Sequence, residues 1–465
     1  MDQPIDLVPD SAQELVHESA DETVRAALRT SGTRFVRYIW CDNANVIRAK
    51  AVHTPHMDDY LNGQGVGIAA AQMALPVMYD ALASGSGLTP AGEVHLHADW
   101  RTFSPLPYTP KHARVLTDIY EGGQPWGHCP RSFLRRMIAR AGALGLDVHA
   151  AYENEFSLLV RAPDGGFVPF DETVFCQTSA LDQAAPVIDA ITEALGAQGL
   201  TVEMVYAESG PGQFELPVRY TDALRAADQQ IVFRETVHAV ARQHGLIASF
   251  VPKLFLDKAG NGTHLHFSLS RAGQALVTRP DNPQVLTDEM SSFVAGVLRH
   301  LPALMALTTP STNSYKRIRP RFWSGAFTCW GFGNREAAVR GPMLSEGRPI
   351  TNLELKTCDA ASNPYLALGA LIAAGLDGIQ RRLDPGQPVD LDPADLSDAE
   401  RAQRNIARLP SNLGDAIAHL EGDAVLQSAL GPALAQSFLA VRKNEWQVMK
   451  DMSHADEVKL LLERY

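Results

Sequence analysis

Ala151 to Val160 reads AYENEFSLLV, with Glu153 and Glu155 two apart in an otherwise apolar, strand-like run. Side chains alternate across a strand, so both carboxylates point to one face. Two like charges side by side on a sheet repel unless something neutralises them. The pattern recurs downstream. Glu208 and Glu215 bracket ESGPGQFE, where Gly210, Pro211 and Gly212 force a turn. His264 and His266 alternate in GTHLHFSL, and Glu354 lies in the strand-like TNLELKT. Each piece alone has a bland alternative: a solvated strand face, an acidic surface loop, a satisfied core histidine. Together, five carboxylates and two histidines lie on extended segments between Glu153 and Glu354, and a fold that gathers them must bring distant strands into one sheet. Oxygen ligands with one or two imidazoles suit Mg2+ or Mn2+. Two such cations would leave five carboxylates nearly neutral, whereas the bare cluster would repel and raise its own pKa values.

The rest of the chain reads as α+β. Strand-like Phe35–Trp40 and Ile47–Val52 flank a CDNAN turn, and residues 62–130 are so rich in Gly and Pro that loops and short strands are expected there. PLPYTP (105–110) and GGQPWGHCP (122–130) are the strongest linker signals, which sets the domains at 1–20 (tail), 21–120 and 121–465. Beyond them, helices are expected over Arg131–Leu144, Pro186–Gln198, Asp222–His244, Leu286–Leu307 and Pro364–Arg382, with strands at Asp147–Val160, Thr201–Tyr206, Ile247–Val251 and Thr263–Leu269. Strands and helices mix without strict βαβ alternation.

Composition excludes several classes. The 465 residues carry 53 acidic and 41 basic side chains, a net charge of −12, which argues against nucleic acid and anionic membrane surfaces as partners. The apolar run Leu366–Leu376 is too short to span a bilayer, and the acidic N-terminus lacks the apolar stretch of a signal peptide. Five cysteines without CxxC spacing point to reduced thiols, so a cytoplasmic setting is expected. No P-loop, GxSxG or HExxH motif is present. A basic segment stands out against this background: Ser314–Arg340 holds Lys316, Arg317, Arg319, Arg321, Arg335 and Arg340 among Trp, Phe and Gly. A basic surface loop would explain it. So would a grip on phosphate or carboxylate, which arginine forks suit. A carboxylate cup for two metals beside arginines is what phosphoryl transfer from a nucleotide requires.

Six ordered motifs, ENEF, ESGPGQFE, FVPKLFLDKAGNGTHLHFSL, NSYKR, NREAAVR and LELKTCDAASNPYLAL, resemble those of the glutamine synthetase family from about residue 20 to Tyr465. The resemblance implies an N-terminal β-grasp domain and a catalytic domain with a curved antiparallel sheet flanked by helices. It implies a homo-dodecamer of two hexameric rings with active sites between subunits. It further implies ATP and two or more Mg2+ (or Mn2+) ions per site, and an acyl phosphate of glutamate attacked by an amine. On matching positions, Glu155, Glu208 and Glu215 serve one metal, and Glu153, His264 and Glu354 the other. His266, Glu203, Ser268 and Arg340 face ATP, Arg317 grips the substrate α-carboxylate, and Arg335 and Arg340 serve the phosphates.

Departures from the family pattern shift the expected substrate. The stretch matching the ammonium-site loop, Gly65–Gln72 (GVGIAAAQ), holds no acid, and the flap glutamate expected six residues after Arg317 is Trp323. A pocket formed by Gly67, Ile68, Ala69 and Trp323 suits a small organic amine better than ammonium, and a long polyamine is less favoured for want of an acid. Lys356 replaces an arginine and loses its fork, and Ala259 replaces a glutamate-contacting asparagine. Glu336 and Tyr206 are candidates for the base, each more simply structural. The expected activity is an ATP-dependent γ-glutamyl–amine ligase acting on glutamate and a small amine. The alternatives are an ordinary glutamine synthetase and an inactive, assembly-forming relative.

Overall fold

The computed structural model describes residues 20–163, 165–342 and 349–465. Of the expected N-terminal tail, residues 1–19 lie outside the described residues.

The first sheet is built from β1 (Phe35–Cys41), β2 (Ile47–His53), β3 (Val66–Ala69), β4 (Glu93–Pro105), β5 (His112–Glu121) and β6 (Gln124–Pro125), in the order β2-β1-β5-β4-β3 with β6 on β5. The β1–β2 turn forms because Asp42 Oδ1 accepts from the Ala44 and Val46 amides, both at 2.9 Å, while Asn45 takes a left-handed φ of 64°. Val36, Tyr38, Trp40, Val94, Leu96, Val115 and Ile119 form its core. The expectation of loops and short strands over 62–130 holds for residues 62–92 and is overturned over 93–121. β4 runs for 13 residues and β5 for 10, and PLPYTP closes the turn between them, with Pro105 opposite Ala113. Proline at a strand end shapes a turn as readily as it marks a domain linker.

The second sheet is organised around β7 (Asp147–Arg161), 15 residues long. Its other main strands are β8 (Tyr206–Ala207), β9 (Gln213–Pro217), β10 (Thr263–Arg271), β11 (Phe327–Phe332), β12 (Ala337–Gly341) and β13 (Leu353–Leu355). Their order is β11-β12-β13-β10-β7-β9-β8, antiparallel except that β11 and β12 run parallel. Helices Pro130–Ala143, Ala223–Gln243, Asp288–Thr308 and Pro364–Arg381 enclose a large shared core. The Asp288–Thr308 helix is long and apolar enough to cross a membrane, yet most of it is buried in that core. It meets Pro364–Arg381 through glycines: a Cβ on Gly296 would stand 2.1 Å from Ala374 O. The expected start of a helix at Pro186 is corrected to Thr178, because Ala180, Ala184, Val187 and Ile191 keep one face buried through the proline. That burial outweighs the one hydrogen bond that proline removes.

A buried ion cluster fastens the first sheet to two helices of the second domain, Pro130–Ala143 and Ala223–Gln243. Arg131 meets Asp118 at 2.6 Å, Asp228 at 2.8 Å and Asp99 at 2.9 Å, and Arg135 also reaches Asp99 at 2.8 Å. Asp99 and Asp118 come from β4 and β5, the arginines from the first helix of the second domain.

Candidate active site

Strand register alone gathers the residues singled out above. On neighbouring antiparallel strands, residues directly opposite share a face. Glu155 of β7 lies opposite Glu215 of β9, and Glu153 opposite His264 of β10. His266 lies opposite Glu354 of β13, which in turn lies opposite Arg340 of β12. Glu215 also lies opposite Tyr206 of β8, whose hydroxyl donates a short hydrogen bond to it. One face of five adjacent strands, from β12 to β9, thus carries four carboxylates, two histidines and an arginine.

The contacts are close. Glu153 Oε2 is 2.9 Å from His264 Nδ1 and 3.3 Å from His266 Nε2. His264 Nε2 is 3.8 Å from Glu155 Oε1, and His266 Nε2 is 3.3 Å from Glu354 Oε2. Arg340 Nε stands 2.7 Å from Glu354 Oε1, and Lys356 Nζ stands 3.5 Å from the same oxygen. Both Glu354 oxygens are buried and lack a well-aligned hydrogen bond, so these contacts are electrostatic in character. Glu155 Oε2 accepts from Gln213 Nε2 at 2.8 Å and from the Gly262 amide at 2.9 Å.

The titration of the group reflects crowding. Burial, then the negative charges of Glu153 and Glu155, push Glu215 up to about 11. Burial and Glu155 push Glu208 up to about 7. Burial opposes the charge on His266, but its close contacts with the Glu153 and Glu354 carboxylates prevail and lift it to about 10. Burial, aided by the Lys356 charge, lowers His264 to about 4. Carboxylates this crowded are held apart in protonation because each raises its neighbours.

These residues fit a divalent cation. One ligand atom from each of Glu153, His264 and Glu354 lies within 4.8 Å of the others, the one such set among the described residues. Gly262 leaves open a space that a Cβ would fill, 2.8 Å from His264 Nε2 and 3.2 Å from both Glu155 Oε1 and Arg317 Nη1. Glu208 approaches from beyond β8, its amide bonded to Gln213 O at 2.9 Å.

The remaining sequence-selected residues fall around this face. Arg317 is buried and donates to the Lys356 and Cys358 carbonyls at 3.3 and 2.8 Å. Ser268 follows His266 on the same face of β10. Glu203 sits at the end of β9, paired with Arg219 at 2.9 Å and half exposed. Arg335 is exposed, with its guanidinium 5.6 Å from the centre of the Trp323 ring. Ala259 is half-buried in the loop before β10. The amine-pocket residues on β3 divide by alternation: Ile68 is buried in the first domain's core, and only Gly67 and Ala69 face outward. That corrects Ile68 as a pocket residue. Gln213 and Asn352 were missed. Asn352 Oδ1 holds His266 Nδ1 at 2.9 Å, and neither amide stands out in sequence because each acts through a neighbour. Glu93 was missed too. The stretch Gly65–Gln72 holds no acid, yet the β4 carboxylate of Glu93 lies across Gly67, where a Cβ would stand 2.8 Å from its Cδ. A partner that strand pairing brings in from more than 20 residues away has no local signal.

A two-domain α+β chain with a carboxylate–histidine cup beside arginines has the make-up of a metal-dependent phosphoryl-transfer enzyme. Comparison with known proteins narrows this. Residues 20–126 match the glutamine synthetase N-terminal domain and residues 127–461 the glutamine synthetase catalytic domain. The chain is 37% identical over 430 residues to gamma-glutamylpolyamine synthetase GlnA3 of Streptomyces coelicolor, covering 90% of this chain and 91% of the relative. It is 32% identical over 461 residues to type-1 glutamine synthetase 1 of Dictyostelium discoideum, covering 93% and 90%. Among solved structures, apo GmaS without ligand superposes with a TM-score of 0.81 at 32% identity, covering 93% of this chain and 98% of that one. A novel glutamine synthase homolog gives 0.82 at 32%, covering 93% and 99%. The chain belongs to the glutamine synthetase family.

Proposed function

We infer that the chain is an ATP-dependent ligase that joins the γ-carboxylate of glutamate to an organic amine through an acyl phosphate. The family supports ATP and divalent metal use, and the relative named for γ-glutamylpolyamine synthesis supports the amine. Glu153, His264 and Glu354 hold one cation, and Glu155, Glu208 and Glu215 a second. When bound, the cations neutralise the ATP phosphates and polarise the transferring phosphoryl group. Arg340 is oriented by its contact with Glu354 at 2.7 Å, leaving its terminal nitrogens for the phosphoryl oxygens. Arg335 serves the same group from the exposed side. Arg317, held by two backbone carbonyls, receives the α-carboxylate of glutamate. His266, Ser268 and Glu203 line the nucleotide. Splitting the condensation into phosphorylation and aminolysis replaces one difficult step with two feasible ones.

The observation that carries the amine reading is Trp323. It occupies the loop position where ammonium-using relatives are expected to carry a carboxylate, and its indole is 57% exposed beside Arg335. An indole offers an alkyl or aryl body a surface and offers ammonium no charge. Glu93 favours a second form of the same reading, an acceptor with a second positive charge, because its carboxylate lies over Gly67 on the outward face of β3. That face belongs to the first sheet, so we place it over a neighbouring subunit's site in a dodecamer of two hexameric rings. Five free cysteines fit a reducing, cytoplasmic setting.

The deciding experiment measures phosphate release with Mg·ATP and glutamate, adding ammonium, butylamine, putrescine, ethanolamine or benzylamine in turn. An organic amine is expected to give the highest kcat/KM. Ammonium as the best acceptor would sink the reading, and putrescine no better than butylamine would remove the role of Glu93.

A further inference from the structure

The loop between the short helix Ser314–Arg317 and β11 carries Phe322 and Trp323, 49% and 57% exposed. Arg321 (φ 65°) and Trp323 (φ 54°) both adopt the left-handed backbone that side chains other than glycine's avoid. Two such residues in three need support from outside the loop. Glu336, just before β12, supplies it. Its Oε2 accepts from the Arg321 amide at 3.1 Å and its Oε1 from the Trp323 amide at 2.8 Å. Glu336 is buried, 6% exposed, and its own amide is fixed by Asn334 Oδ1 at 3.0 Å. Neighbours hold the rest of the loop: Phe322 lies 5.4 Å from Lys253 Nζ and 5.3 Å from the Arg319 guanidinium, and Arg321 pairs with Asp395 at 2.8 Å. Arg321, Trp323, Asn334, Arg335 and Glu336 border an open cleft of about 380 Å³.

We propose that Glu336 is a positioning residue for acceptor selection: its carboxylate clamps the backbone at Arg321 and Trp323 and so holds the Trp323 indole beside Arg335, where the acceptor amine enters. Both oxygens are engaged by loop amides, so Glu336 acts through Trp323 and not as the base. This rests on the amine-ligase reading above. A carboxamide keeps one acceptor oxygen and turns an NH2 toward the second amide, so Glu336→Gln breaks half of the clamp without changing side-chain size.

The test is steady-state kinetics of the full-length enzyme as wild type, E336Q, E336D, W323A and W323A/E336Q. E336Q is expected to raise the KM for the preferred amine about tenfold while kcat and the KM values for ATP and glutamate stay within about threefold. E336D recovers part of the loss, and E336Q adds nothing in the W323A background, since the two act as one unit. Hydrogen exchange over residues 318–326 reads the clamp independently of turnover and is expected to quicken about tenfold in E336Q. An amine KM within twofold of wild type, a parallel rise in all three KM values, or unchanged exchange each overturns the proposal. A wild type that prefers ammonium fails the amine reading instead, and unchanged exchange in E336Q would still overturn the clamp by itself.

Discussion

Replacing Gly262 by alanine adds a single methyl to the space the site uses for its ligands. Its backbone lies outside the left-handed region, so alanine is tolerated there and the perturbation is confined to the added atom. That atom would stand 2.8 Å from His264 Nε2 and 3.2 Å from Glu155 Oε1 and Arg317 Nη1. Unstrained contacts begin near 3.5 Å, so the histidine must retreat by about half an ångström or more. Overpacking of this kind costs about 1–3 kcal/mol. In the metal-free protein His264 can yield, because its Nε2 is held only by Glu155 at 3.8 Å. With the site loaded, the same methyl competes with the ligand sphere, and the cost falls on binding: about ten- to hundredfold weaker Mn2+ affinity. A ligand displaced this far also lowers turnover, by up to about a hundredfold. Isothermal titration with Mn2+ and phosphate release measure the two effects, and far-UV circular dichroism without metal checks that the fold survives. Mn2+ affinity and turnover both within twofold of wild type would refute His264 and Glu155 as ligands of the two cations.

Two further substitutions probe the frame. His300 is buried between Asp423 at 2.6 Å and Asp377 at 3.1 Å; burial opposes its charge, but the two hydrogen bonds raise it from 6.5 to about 9. A raised folded pKa gives stability that is complete below about pH 6.5 and lost as pH rises through about 9, worth about 3 kcal/mol at most. Urea unfolding of wild type should therefore weaken between pH 6.5 and 9.5 more than that of H300Q, and equal slopes would count against the charged histidine. Arg131→Met leaves Asp99, Asp118 and Asp228 buried around an apolar side chain, which should cost about 3–5 kcal/mol and show as a lower melting temperature. A melting temperature unchanged within error would mean that the cluster does not hold the first sheet to the helices of the second domain.

Local sequence determined a good deal of this protein. The period of two in ENEF and HLH put Glu153 with Glu155, and His264 with His266, on single faces before any strand was paired. The helices and the α+β class followed from apolar periodicity and caps, both local properties. The glutamine synthetase resemblance picked out Glu153, His264 and Glu354, which the fold brings together, because its motifs are short and ordered. What failed was the reading of residues whose meaning depends on a partner. The Gly- and Pro-rich stretch before residue 130 concealed two long strands, since pairing and burial, not local propensity, extend β4 and β5. Only the fold decided that Ile68 turns into a core while Glu93 crosses Gly67, that Glu336 reaches back to two loop amides, and that Glu354 meets His266 and Arg340 across adjacent strands. A sequence fixes which way a side chain faces along its own strand. Which strand lies beside it, and so which charges share a face, is set by the register that buries the core.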